Sequence, residues 1–292
     1  MTFCRQLSAM LEKSADVSFL GRIIMSIGAN GIEHHVALAG PADGPPVLLV
    51  HGLGWDHTLW IGQIETLADL GWRVIAPDLR GMGLTEKPEA PYSIDLYAQD
   101  MIAVLDALGV ERFAMAGFSL GGIIAAAMLG RVPERIAGAV IACCGVHSTA
   151  AGEVGTEAML ARAEGLGPLA FAGEQAAAIW HPDWAASHPA EVERFIHWRA
   201  AMDQAALVRA FRSSYGTDYR PVLDRTRVPV RFIAADSDPF ASVATLRDLQ
   251  ARVAGSDLVV IEEAGHMAPI EQRAAFDAAL VDFLDRVPVS GA

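Results

Sequence analysis

The chain has 292 residues, 52% of them hydrophobic, enough for one large α/β domain with a sizeable core, with or without an inserted cap. A formal charge of −13 and the lack of a basic run argue against nucleic acid and anionic membranes as partners. Three cysteines (Cys4, Cys143 and Cys144), an odd count without metal-ligand spacing, point to reduced thiols in a cytoplasmic protein with no disulfide framework and no metal site.

Residues 1–20 read as an N-terminal extension. Glu12, Lys13 and Asp16 interrupt it, so neither a signal peptide nor a membrane span is expected, and a short surface helix over 1–17 is. Residues 22–27 and 32–39 read as strands on either side of Asn30-Gly31, a strong turn signal. The run 46–50 is apolar at every position, as a strand buried on both faces should be. It ends at His51-Gly52-Leu53-Gly54. A helix over about 58–70, a strand over 73–77 and the loop from Asp78 to Thr85 follow. Residues 93–108 read as a helix and 112–115 as a short buried strand. An Ala-rich helix over 123–129 and a strand over 138–144 come next.

The strand pattern then stops. From about 146 to 226 the chain is rich in Ala and Glu, with breaks at Gly165-Leu166-Gly167-Pro168, His181-Pro182 and His188-Pro189, which reads as a helical insertion. Its bulky apolar side chains either pack the insertion onto the core or line a pocket. Strands return at 228–234 and 257–261, with helices over about 244–253 and 270–286. Strands alternating with helices imply a mostly parallel sheet of about eight strands covered on both faces. The expected organisation is a core over 21–145, a helical cap over 146–226 and the rest of the core over 227–292.

Between the strand over 112–115 and the Ala-rich helix lies Gly117-Phe118-Ser119-Leu120-Gly121-Gly122. G-x-S-x-G in a strand–turn–helix context is the pattern of a nucleophile elbow. Glycines two residues on either side fit a sharp turn where side chains would collide, and the hydroxyl then sits at a helix N-terminus. A serine hydroxyl needs a base to take its proton and a third group to orient that base. His266 follows the last strand and Asp238 the strand before it. In a parallel sheet all strand C-termini lie on one edge, so the three meet despite their sequence separation. Asp236 is the alternative acid. Asp238, beside Pro239, is the better choice, leaving Asp236 to accept backbone N–H bonds. The backbone N–H groups of Leu120 and Leu53 are the expected pair of oxyanion donors, with His51 holding the loop. Expected pocket residues are Trp55, Met159, Trp180, Trp184 and Met267.

These motifs, together with Asp78-Leu79-Arg80-Gly81-Met82-Gly83-Leu84-Thr85, Asp236-Ser237-Asp238-Pro239 and Gly265-His266-Met267-Ala268-Pro269-Ile270-Glu271, resemble the α/β-hydrolase family over roughly 31–145 and 227–287. Within it, residues 51–60 and the region after 227 are similar to enol-lactonases such as 3-oxoadipate enol-lactonases, and to small esterases. Met82 stands where the family often has His, and Arg273 where it often has Pro. The resemblance implies a serine hydrolase of carboxylic esters or lactones working through an acyl-enzyme on Ser119, without cofactor or metal, on a small-molecule substrate. Homo-oligomerisation is left open. Serine at the elbow separates the chain from the dehalogenase and epoxide hydrolase branches, where the resemblance implies Asp. The alternatives are C–C bond hydrolysis of ring-fission diketones with Arg199 and Arg209 as polar pocket candidates, cofactor-free haloperoxidase- or dioxygenase-like chemistry, and a non-catalytic receptor. A Rossmann dehydrogenase is disfavoured because the first strand-to-helix loop has no G-x-G-x-x-G.

Overall fold

The computed structural model describes residues 22–289. The N-terminal extension, with its expected surface helix and Cys4, lies outside them. Strands β1 (Arg22–Ala29) and β2 (Ile32–Ala39) form an antiparallel hairpin. Its turn residues Asn30 and Gly31 both take positive φ, 47° and 78°, as a tight hairpin turn requires. After β3 (Pro46–Val50), a single 3-10 turn leads into α1 (Ile61–Asp69). Next come β4 (Arg73–Pro77) and α2 (Ile94–Ala107), whose N-cap Ser93 accepts the Leu96 N–H. The chain continues through β5 (Phe113–Phe118), α3 (Leu120–Arg131) and β6 (Ile136–Ala142).

Helices α4 (Ala150–Leu166), α5 (Pro168–Ile179), α6 (Pro182–Ser187), α7 (Pro189–Ala200), α8 (Gln204–Arg212) and α9 (Arg220–Leu223) follow. Proline at the first turn of α5, α6 and α7 starts each where its missing N–H costs nothing. Strand β7 (Val230–Ala235), α10 (Val243–Gln250), β8 (Asp257–Ile261), α11 (Ala268–Glu271) and α12 (Arg273–Leu284) complete the chain.

The eight strands form one sheet in the order β1-β2-β4-β3-β5-β6-β7-β8. β1 with β2 and β2 with β4 pair antiparallel, and each remaining pair is parallel. Every residue of β3, β5, β6 and β7 is buried, because helices cover both faces. One layer packs α2, α3 and α10 around Met101, Ile124 and Phe232. The other packs α1 and α12 around Trp60, Phe118 and Phe276. β6 and β7 are neighbours although α4 to α9 lie between them in sequence, so this helical stretch leaves and re-enters the sheet at one place.

Two elements differ from expectation. The strand expected over 138–144 runs Ile136–Ala142 and stops because Cys143 takes φ 52°, which breaks the pleat. The final helix is two, separated at Gln272 (φ −126°, ψ 52°). The break falls where the Glu271 carboxylate turns back onto the Gly265 and Met267 N–H groups.

Candidate active site

β5 ends at Phe118 and α3 starts at Leu120, so Ser119 alone makes the turn. It adopts φ 52°, ψ −118°, a sparsely populated conformation for a residue with a side chain. The turn closes so tightly that a Cβ on Gly117 would strike the Gly121 carbonyl, and one on Gly121 the Val50 carbonyl. The Ser119 N–H donates to Ala142 O at 2.9 Å, which ties the turn to β6.

The loop after β8 brings His266 over this turn. His266 Nε2 lies 3.0 Å from Ser119 Oγ, and Nδ1 lies 2.9 Å from Asp238 Oδ2. A carboxylate accepts only, so Nδ1 carries the proton, donates to Asp238, and leaves Nε2 to accept from the serine hydroxyl. Asp238 Oδ1 accepts the N–H groups of Phe240 and Ala241 at 2.8 and 3.2 Å, which fixes its carboxylate plane. Phe118 and Phe240 flank the imidazole, each with ring centroid 5.0 Å away. Asp236 points elsewhere, accepting the N–H groups of Glu263 and Ala264 at 2.9 and 3.2 Å.

The loop after β3 closes the other side. His51 is fully buried, and burial depresses its basicity. Its Nε2 accepts the Leu79 N–H at 2.9 Å, so Nδ1 carries the proton and donates to Gly52 O at 2.8 Å. Gly54 N–H donates to Met82 Sδ at 3.1 Å, so the methionine that departs from the family pattern holds this loop. The Leu53 and Leu120 N–H groups meet no protein acceptor among the described residues. Arg273, the other departure, starts α12 and donates to Gly62 O at 3.0 Å, tying that helix to α1.

Ser119 and His266 open into a cavity of about 480 Å³ between the sheet edge and α4, α5, α7 and α8. Trp55, Met159 and Met267 line it, as do Cys143 and Cys144. Burial, with the Asp238 charge adding to it, pushes both thiols up, so they are neutral lining groups. Trp180 and Trp184, expected in the pocket, stand behind it. They stack on each other with centroids 4.6 Å apart, and Trp180 meets the far edge of Trp55 at 6.3 Å. They face α7 instead: Trp180 meets Phe195 at 5.9 Å, and His188 stacks on Trp184 at 4.3 Å.

Two positions carry more than their motifs announce. Glu271 is buried and accepts the N–H groups of Gly265, His181 and Met267, each at 2.9 Å, while His266 N–H donates to Ile179 O at 2.8 Å. The His266 loop is thus sewn to the end of α5. Burial pushes the Glu271 carboxyl up despite those three donors. Arg199 also lines the cavity while only 4% exposed. Among the described residues, one group has the chemistry of a metal site: His35, His57 and Asp78, with ligand atoms within 4.8 Å of one another. Both imidazoles hydrogen-bond to Asp78, which also accepts the His57 and Leu84 N–H groups, and none of the three lines the cavity. No helix among the described residues is long and apolar enough to cross a membrane.

Comparison with known proteins agrees with this architecture. The family model of the alpha/beta hydrolase fold matches residues 45–165. The chain is 30% identical to 3-oxoadipate enol-lactonase 2 of Acinetobacter baylyi over 262 residues, 89% of this chain and 96% of that protein. Among solved structures it resembles the enol-lactonase of Burkholderia xenovorans, with TM-score 0.83 and 26% identity over 90% of this chain and 100% of that one. It also resembles a thermophilic esterase from Thermogutta terrifontis, with TM-score 0.81 and 25% identity over 91% of this chain and 98% of that one. With a relative at this identity along nearly the whole of both sequences, and with this sheet order, the chain belongs to the alpha/beta hydrolase fold family.

Proposed function

We propose that the protein is a serine hydrolase that cleaves carboxylic esters or lactones through an acyl-enzyme on Ser119. The observation that carries this reading is the continuous line of hydrogen bonds from Ser119 Oγ through His266 to Asp238, at 3.0 and 2.9 Å. The enol-lactonase and esterase likenesses support the substrate class.

In this reading His266 Nε2 takes the hydroxyl proton as Ser119 Oγ attacks the carbonyl carbon. Asp238 holds the ring in the tautomer that leaves Nε2 free and stabilises the imidazolium without taking the proton. The tetrahedral oxyanion accepts from the Leu53 and Leu120 N–H groups, and each such donor lowers the barrier by about 3 kcal/mol. The imidazolium returns its proton to the leaving oxygen. Water, deprotonated by the same His266, then attacks the acyl carbon and frees Ser119. Residues 146–226 act as the cap that shapes the acyl pocket.

The test is initial rates on p-nitrophenyl acetate, butyrate and octanoate and on a panel of small lactones, in metal-free buffer, for the wild type and Ser119→Ala. Turnover by the wild type and a loss of at least about a thousandfold in the variant are expected. A wild type inert on every ester and lactone, or a Ser119→Ala variant that keeps its rate, removes the proposal.

A further inference from the structure

The chain carries 35 acidic and 22 basic residues, so a surface arginine should find a carboxylate. Most do. Arg131 pairs with Asp95, Arg135 with Asp106, Arg220 with Asp218 and Arg252 with Asp224. Arg112, Arg225 and Arg227 depart from this. Among the described residues their side chains meet no carboxylate, no other hydrogen-bond acceptor and no aromatic ring. Asp224, next to Arg225 in sequence, is taken by Arg252 Nη1 at 3.0 Å.

All three line one groove of about 650 Å³. It lies where β5, β6 and β7 begin. Arg112 directly precedes β5, Ile136 and Ala137 open β6, and Arg225 and Arg227 stand in the connection from α9 to β7. These strands are parallel and Ser119 follows the end of β5, so the groove is at the opposite edge of the sheet, about 20 Å away along the six residues of β5. Leu129, Val222 and Val228 give it an apolar floor. Thr226, only 8% exposed, also lines it. Its hydroxyl accepts the Val228 N–H at 3.2 Å and keeps its own proton to donate. Among the described residues Glu134 is the one carboxylate lining the groove, so three guanidiniums face one acid on a molecule of net charge −13.

Like charges gathered without a counter-charge repel, and a multivalent anion between them turns that repulsion into attraction. The planar fork of arginine matches the oxygen pairs of a phosphate. The volume is in the range of small-molecule sites, and the floor suits an apolar or planar body. We infer that this groove binds a soluble phosphorylated small molecule carrying two or more phosphates on such a body. Arg112, Arg225 and Arg227 hold the phosphates, and the Thr226 hydroxyl donates to one of their oxygens. A soluble ligand fits better than a lipid headgroup, because a chain of net charge −13 is repelled by an anionic bilayer while a small ion reaches a local cationic groove. No bond is made or broken there, and the site is independent of the chemistry at Ser119.

The test is calorimetric titration of ATP and of sodium pyrophosphate, without added metal, into the wild type and four variants. These are Arg112→Gln, the double variant Arg225→Gln with Arg227→Gln, Arg199→Gln and Arg247→Gln. Arg247, on α10, also meets no acceptor among the described residues but lies outside the groove. Arg199 is the cation of the catalytic cavity. The wild type is expected to bind one ATP per chain with Kd at or below about 100 µM, and pyrophosphate more weakly because it lacks the body. Arg112→Gln should weaken ATP by at least about tenfold and the double variant by about a hundredfold, while Arg199→Gln and Arg247→Gln bind as the wild type does. No binding by the wild type, or full affinity in the groove variants, overturns the proposal. So does weakening in Arg199→Gln, which would put the ligand in the catalytic cavity, or in Arg247→Gln, which would make the effect one of overall charge. Circular dichroism checks that each variant is folded, and if the double variant is not, Arg112→Gln and Arg227→Lys are judged on the same affinities. Sedimentation with vesicles of phosphatidylcholine and phosphatidic acid separates the two sources of phosphate. The protein is expected to stay in solution, and vesicle binding without ATP binding overturns the soluble ligand.

Discussion

Ser119 holds its hydroxyl in place through backbone strain. At φ 52°, ψ −118° it sits where a Cβ is disfavoured, a cost of about 1–3 kcal/mol borne by the packing of Gly117 and Gly121 around it. Glycine adopts such a conformation without that penalty. Ser119→Gly should therefore be more stable than Ser119→Ala by about 1 kcal/mol, with both inactive. Urea unfolding of the two variants checks this, and equal midpoints would mean that the turn is not strained. Strain is legible here only in part. The glycine spacing marks a tight turn, but its sharpness depends on β6 and the Val50 carbonyl, which come from other parts of the chain. Arg199 shows the same divide. Its residue type made it a polar pocket candidate, but the lack of a carboxylate partner among the described residues is a property of its neighbours, which α5, α7 and the loop after β3 supply from distant sequence.

Between elements, short polar contacts hold the loops at the sheet edge. Asp78 gathers four of them, accepting from His35 of β2 at 2.9 Å, from the His57 N–H and Nδ1 at 2.8 and 2.7 Å, and from the Leu84 N–H at 2.9 Å. Burial alone would push this carboxyl up. The hydrogen bonds from His35 and His57 outweigh it and hold the carboxyl well below the usual carboxylate range. A carboxyl depressed in the folded state adds stability above its unfolded value, near 3.9, and loses it as pH falls toward the folded value. Asp78→Asn should therefore cost about 2–4 kcal/mol at pH 7, and the gap to wild type should narrow steadily below about pH 4. Guanidinium unfolding of both proteins at pH 7 and pH 3 tests this. A gap unchanged with pH would show that the stabilisation is not ionic. The sequence presents Asp78 only as the first residue of a loop motif, because its partners His35 and His57 are separated from it by 43 and 21 positions.

Across the whole molecule, a net charge of −13 meets a surface where the ion pairs are mostly exposed, such as Arg131 with Asp95 and Arg220 with Asp218. Exposed pairs contribute little, so long-range self-repulsion of the excess carboxylates should dominate the salt response. Added sodium chloride from about 10 to 200 mM shortens the screening length from roughly 30 Å to under 10 Å and should raise Tm by a few degrees. Calorimetry at the two ionic strengths measures it. A fall in Tm would mean that attraction within paired clusters outweighs the repulsion. Buried cations are paired: Arg80 bonds both oxygens of Asp100 in α2, and Arg231 on β7 bonds Asp257 and Asp282 and the Ala279 carbonyl, joining β7, β8 and α12.

The sequence by itself determined the alternation of strands and helices, the parallel sheet, and the sheet edge on which Ser119, Asp238 and His266 gather. Apolar runs, turn residues and chain order are local signals, and a parallel sheet converts chain order into position. The tertiary structure decided which side chains of the helical stretch face the cavity. It put Met159 and Arg199 inside and Trp180 and Trp184 behind, since helices of weak amphipathicity packed on two sides do not announce their inner face. It also decided that Glu271 sews the His266 loop to α5 and that Met82 holds Gly54. Both are contacts between segments that meet only once the sheet has formed.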